Sequence, residues 1–204
     1  MSRLAPLTLA AAWIAVALPA GSATPPSPAA PGQAAEAMSL GNPRAPVTVI
    51  EYASVGCPHC AKWANDVFPE FRSQYIDTGK VRFEFHEMLT GNPTLAAAGF
   101  LLARCAAPSR YFQVVDDVFA RQSEIGDKGI DVLQQIGDHA GVTRDQFDAC
   151  LENPAALEAL QKRTQEDAAA HGVTGTPTFF VGGEKFDGEE SLDVLAAAIG
   201  RAKH

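Results

Sequence analysis

The sequence has no basic stripe and no cluster of Lys or Arg; 16 such residues are outnumbered by 24 Asp and Glu, giving a formal net charge of −8. A phosphate backbone is held by concentrated positive charge, so nucleic acid is excluded as a partner. Acidity supports solubility and says little about substrate. No internal repeat is present. Cysteine is scarce: there are four, at 57, 60, 105 and 150. No second close pair accompanies Cys57 and Cys60, and His86, His139, His171 and His204 show no ligand spacing. A zinc site would therefore have little beyond Cys57, His59 and Cys60, and two cysteines at this spacing are half of what a structural site uses.

A long apolar run occurs at the N-terminus. Met1-Ser2-Arg3 carries one positive charge, residues 4–20 are rich in Ala, Leu, Val and Ile, and Gly21-Ser22-Ala23 supplies small residues for a signal peptidase. Residues 1–23 are therefore read as a secretory signal. Pro6, Pro19 and the shortness of the run oppose the alternative, an uncleaved membrane anchor. No cysteine follows the run, which argues against a lipoprotein. Residues 24–38 are mostly Ala and Pro without apolar periodicity and are read as a disordered tether. Residues 39–204 are long enough for one well-buried core.

Within that domain, Val47–Ala53 is nearly continuously apolar and reads as a central strand. Trp63, Val67, Phe68, Phe71 and Tyr75 fall at helical spacing over 58–75, with Pro69 expected to kink the helix in its interior. Residues 80–86 alternate as a second strand, so β-α-β order implies a parallel pair with a right-handed crossover. From Pro93 to about Ala169 the pattern is helical, over roughly 93–106, 110–123, 129–140, 143–152 and 154–171, with Thr143 and Gln146 spaced as a capping box. Strands return at 178–181 and 184–187 around a Gly182-Gly183 turn, and 191–202 closes the chain as an amphipathic helix. The order describes an α/β thioredoxin core, a mixed sheet flanked by helices, with an all-helical insertion over about 92–170.

The chemistry centres on Cys57-Pro58-His59-Cys60. This motif follows a strand and opens a helix, where unpaired N–H groups and the positive end of the helix dipole favour an anion. A cysteine there has a lowered pKa and reacts as a thiolate. Cys57 is expected to be exposed and to form the mixed disulfide, with Cys60 shielded one turn in as the resolving or leaving sulfur. The His59 imidazole is expected to favour the thiolate. A well-stabilised thiolate stabilises the reduced pair and makes the oxidised pair a strong oxidant. A purely structural 57–60 disulfide would close so short a loop that it would stabilise little.

Gly175-Thr176-Pro177-Thr178 precedes the strand Thr178-Phe179-Phe180-Val181. Alone, a proline opening a strand simply ends a loop. Together with Ile50-Glu51-Tyr52 and Cys57-Pro58-His59-Cys60, this segment makes residues 40–204 resemble the DsbA-like branch of the thioredoxin superfamily. The resemblance implies that Pro177 is cis beside the active-site disulfide and that Thr176 offers backbone hydrogen bonds to a bound peptide. It implies that Glu51 lies under Cys60 and relays its proton; the residues alone equally allow an exposed strand acid. Relatives often place a lysine nearby on the next strand, where this chain has Arg82, Glu84 and His86. Cys105 and Cys150 are either buried free thiols or, as an oxidising compartment and some relatives imply, a structural disulfide.

These readings converge on a periplasmic thiol:disulfide oxidoreductase. Catalysis is expected from Cys57, Cys60, His59, Pro58 and Glu51, and substrate contact from Thr176 and Pro177. No cofactor is expected besides the Cys57–Cys60 disulfide, and no metal. Partners would be folding secreted proteins with free thiols and, by resemblance, a DsbB-like membrane reoxidant. A monomer is expected, because the segment before the core lacks the apolar pattern of an oligomerisation stalk. The rivals are a disulfide isomerase or reductase of the same superfamily, and a metal- or ligand-binding module built on Cys57, His59 and Cys60.

Overall fold

In the computed structural model, Met1 and residues 37–203 are described. The signal and nearly all of the tether lie outside the described residues. Among those that are described, no helix is long and apolar enough to cross a membrane.

Five strands form one sheet: β1 (Met38–Leu40), β2 (Val47–Ala53), β3 (Val81–Glu87), β4 (Thr178–Val181) and β5 (Glu184–Asp187), in the order β1-β3-β2-β4-β5. β2 and β3 are parallel, and every other pairing is antiparallel. β1 was not anticipated: three residues are too few to show a period, and the strand exists by pairing with the edge of β3. At the opposite edge, β4 and β5 are joined at Gly182 and Gly183, whose φ values of 57° and 88° fit a two-residue hairpin turn.

The crossover between β2 and β3 is broken into pieces. Helix α1 (Pro58–Asp66) stops before Val67, α2 (Phe68–Phe71) follows, and Arg72–Ile76 continues as a π-helical turn. The expected kink is thus a one-residue break at Val67, which keeps helical dihedrals, two residues before Pro69. Its ring excludes a helical hydrogen bond and crowds the carbonyl four residues back, so the regular ladder ends before it.

The insertion packs as α3 (Pro93–Cys105), α4 (Tyr111–Ala120), α5 (Gln122–Lys128), α6 (Ile130–His139), α7 (Arg144–Leu151) and α8 (Pro154–His171). Asn92, Thr143 and Asn153 cap α3, α7 and α8 through their side chains, and Thr143 with Gln146 forms the capping box. The segment expected as one helix over 110–123 breaks at Arg121, and α5 extends into residues that carry no clear apolar period. Helix α9 (Leu192–Ala202), capped by Ser191, closes the chain.

Strand alternation sorts the core into two faces. Val47, Val49 and Ala53 of β2 join Phe83 and Phe85 of β3 in the main core, with Trp63, Phe68, Phe71 and the insertion helices. Tyr52 of β2 lies on the other face with Met88 and Val173, against Ile50, Ala168 and Phe180. At the end of β3, buried Glu87 binds Arg104 Nε of α3 and Tyr111 Oη of α4, each at 2.8 Å, and Arg163 of α8. One carboxylate thereby ties three insertion helices to the sheet.

Candidate active site

Cys57 is the N-cap residue of α1, in extended conformation, with Pro58 as the first helical residue. Proline suits that position because its missing N–H would have no helical partner. The turn leading in is held from several directions. Ser54 Oγ donates to Thr90 O at 2.9 Å and accepts from Gly56 N at 3.1 Å. Asn92 N donates to Gly56 O at 2.8 Å, and a Cβ on residue 56 would lie 2.2 Å from Asn92 O. Only glycine allows that approach. Gln122, at the start of α5, donates through Nε2 to Val55 O at 2.8 Å and to Cys57 O at 3.1 Å.

The two sulfurs differ sharply. Cys57 is lowered to about 5, chiefly by the hydrogen bond from the Cys60 thiol, with further help from Thr176 and the backbone N–H groups of Cys60 and His59, against a smaller opposing effect of burial. Cys60 moves far up, driven first by burial, then by its bond to Cys57 and by the charge of Glu51. At neutral pH the pair holds one thiolate, on Cys57, and one thiol, on Cys60.

One expectation is corrected here and a second is met only in small part. Cys57 is not exposed: the residue retains 5% of its surface against 0% for Cys60. Its Sγ lies 3.4 Å from Thr176 O, in a recess between the start of α1 and the loop before β4. Attack on sulfur needs an open line of approach, and of the two cysteines Cys57 is the one that keeps any surface. His59 does not aim its ring at Cys57. The side chain is 73% exposed and its Nδ1 pairs with Glu189 Oε1 at 2.6 Å, while Lys62 Nζ reaches the other oxygen at 3.3 Å. Glu189 raises the His59 pKa first, with a smaller push from Cys57. His59 serves the thiolate mainly through its backbone N–H.

The Thr176–Pro177 peptide bond is cis. Thr176 Oγ1 shares a hydrogen bond with Thr90 Oγ1 at 2.5 Å, and Gly188 N donates to Pro177 O at 2.9 Å. A groove of about 360 Å³ runs along Thr174, Thr176, Pro177 and Thr178 to Asp187 and Gly188. Residues 188–190 stitch the site together, because Trp63 Nε1 of α1 also donates to Glu190 O at 2.9 Å.

Glu51 is 3% exposed, on the main-core face of β2, and its Oε1 finds no hydrogen-bond partner. Burial, then Asp116 and Cys57, raise its pKa well above the ordinary carboxyl range. Arg82, Glu84 and His86 cannot be its partners. Glu51 is in register with Phe85, and strand alternation sends those three side chains to the other face of the sheet. Cys105 and Cys150 are disulfide-bonded, with Cα atoms 6.3 Å apart, linking the end of α3 to α7 away from the groove. Among the described residues no group of three or more His, Cys, Asp or Glu could hold a metal ion, so Cys57 and Cys60 gain no further donors from the histidines. Sequence reading missed Gln122, Thr90, Glu189 and Asp116. Each comes from far along the chain, and none carries a local motif.

A family model described as thioredoxin matches residues 33–201. A Rickettsia bellii protein provisionally named a protein-disulfide oxidoreductase is 33% identical over 168 residues, which cover 81% of this chain and 64% of that protein. The chain thus spans somewhat less than two thirds of the length of that relative. The "Disulfide bond formation protein D" of Bacillus subtilis is 26% identical over 151 residues, covering 70% of this chain and 66% of that protein. Among solved structures, alpha-DsbA1 of Wolbachia pipientis superposes with a TM-score of 0.74 at 26% identity, covering 82% of this chain and 90% of the other. With a family model matched over most of the chain and a DsbA structure superposing over most of its length, the chain belongs to the thioredoxin family in its DsbA-like form.

Proposed function

We propose that this protein is a thiol:disulfide oxidase that introduces disulfides into folding secreted proteins in the periplasm. The observation that carries the reading is the unequal sulfur pair, with Cys57 ionised near pH 5 beside the cis-proline loop and Cys60 buried as a thiol. In the oxidised protein a substrate thiolate attacks Cys57 Sγ. The Cys57–Cys60 bond breaks, a Cys57–substrate disulfide forms, and Cys60 leaves with the electron pair. Glu51, protonated because it is buried, supplies the proton that Cys60 takes up. A second substrate thiolate then attacks the substrate sulfur of the mixed disulfide. Cys57 departs as a thiolate that its surroundings favour, and the substrate keeps the disulfide. The stabilised Cys57 thiolate is the leaving group of the second step, and it drives the overall exchange towards substrate oxidation.

The groove beside Thr176 and Pro177 suits an extended peptide, with Thr176 offering main-chain hydrogen bonds. The redox group is the cysteine pair itself. A DsbB-like membrane protein is the proposed reoxidant, and the enzyme is proposed to act as a monomer. The decisive measurement is the redox equilibrium of Cys57–Cys60 against glutathione. A strongly oxidising value supports the oxidase, whereas a strongly reducing value, or a stable oligomer on gel filtration, moves the assignment to reductase or isomerase. Cys57→Ala should abolish exchange with a thiol peptide.

A further inference from the structure

Having given its proton to Cys60, Glu51 regains one from solvent in the reduced protein and returns it on reoxidation, yet it is buried, its Oε1 has no hydrogen-bond partner and strand pairing sets it opposite Phe85 and Phe179. A small cavity lies against it. Its walls are Glu51 of β2, Trp63 and Ala64 of α1, Phe68, Phe83 and Phe85, and, from the insertion, Phe112, Val115, Asp116 and Phe119 of α4. The cavity offers about 10 Å³ to the centre of a water molecule, about what one water needs when polar partners are present. The ionisable side chains on its wall are the Glu51 and Asp116 carboxyls, and the Trp63 indole N–H is engaged with Glu190 O. Asp116 lines the cavity and is half-buried, so it also keeps some surface towards solvent.

We propose that Asp116 is a positioning residue for the Glu51 proton: a single water held between the two carboxyls connects Cys60 to solvent through Glu51 and Asp116. The inference rests on the exchange reaction proposed above. When Cys60 leaves as a thiolate, Glu51 gives it a proton and becomes a carboxylate. The water then passes a proton to Glu51 and takes one from Asp116, which regains its own from bulk water. In the reverse direction the same chain carries the proton out. No electrons move along it. Asp116 suits the task because burial lifts its pKa to about 6, close to working pH. The charges that bear on the pair are Cys57 and Cys60 from α1, Arg72 from the π-helical turn and Asp117 beside Asp116 on α4.

The test is the rate at which a thiol peptide reduces the oxidised protein, followed from pH 5 to 9 for the wild type, Asp116→Asn, Glu51→Gln and the double variant. Asp116→Asn should slow reduction about tenfold, short of the roughly 10²–10⁴-fold typical of a general acid in direct contact. It should also move the alkaline fall of the rate to lower pH, because Glu51 loses a neighbouring negative charge that helps to hold its proton. The alkylation midpoint of Cys57 should stay in place, Asp116→Glu should restore much of the rate, and the double variant should be no slower than Glu51→Gln. A wild-type rate and pH profile in Asp116→Asn, or slowing that multiplies with that of Glu51→Gln, overturns the inference and leaves the oxidase reading standing. A wild type that exchanges no thiols overturns the oxidase reading instead. Should Asp116→Asn fail to fold, the infrared difference spectrum between oxidised and reduced wild type decides. Two carboxyl signals that respond together support the relay, and one signal, lost in Glu51→Gln, overturns it.

Discussion

The chemistry of single residues here is set by what faces them across the fold. Alkylation of Cys57 should show a midpoint near pH 5, and an ordinary thiol titration would remove the basis of the proposed exchange. Its depressed pKa also has a thermodynamic sign. A thiolate favoured in the folded state stabilises the reduced protein fully above the unfolded value of 9.0, and this contribution fades as pH falls through about 5. The oxidised protein has no such group, so calorimetry should find the reduced form gaining melting temperature relative to the oxidised form between those limits as pH rises. Glu51 has the opposite sign, because its raised pKa penalises the folded state once pH exceeds the ordinary carboxyl value. Glu51→Gln should therefore raise the melting temperature at pH 7–8 more than at pH 4. Glu189→Gln should return the His59 titration toward its ordinary value of 6.5, read by NMR. Cys57, Pro58 and Cys60 were legible in the sequence because strand, turn and helix start are local. Glu189 was not. It is an unremarkable acid 130 positions from His59, and only the folding of the β5–α9 loop against α1 makes it a partner.

At the scale of elements, patterns with a period were readable and those imposed from outside were not. The strands 47–53, 178–181 and 184–187 appear with the expected bounds, as does the helix 154–171. The break at Val67 follows from Pro69 in kind but not in extent. β1 and α5 depend on neighbours, β1 on the free edge of β3 and α5 on Gln122, whose amide spans two carbonyls of the active-site turn. The Glu87 cluster was also hidden, since its members come from four separate elements. Glu87→Gln should cost roughly 1.5–3 kcal/mol in denaturant unfolding, the worth of hydrogen bonds to a charged group, because it removes the charge to which half-buried Arg104 and Arg163 bond. Replacing Cys105 and Cys150 together should cost up to roughly 4 kcal/mol for a loop of this length, while thiol exchange through Cys57 continues.

Across the whole molecule, the insertion is part of the reaction centre rather than an appendage. α4 packs on α1 and closes the cavity against Glu51, α5 supplies Gln122 to the turn, and α8 with α3 and α4 anchors Glu87 at the end of β3. A chain begun at residue 37 keeps β1. One begun at residue 42 lacks that strand and should melt lower, because the edge of β3 is left bare. The wall that Phe112, Val115 and Phe119 raise over Glu51 also bears on the size of the protein. A miniature joining β3 straight to β4 could retain both cysteines and the proline loop. It would flood the acid beneath them, and with Glu51 wet and ionised like any surface carboxylate, the shortened chain would keep its sulfurs and lose the buried acid on which the proposed exchange draws.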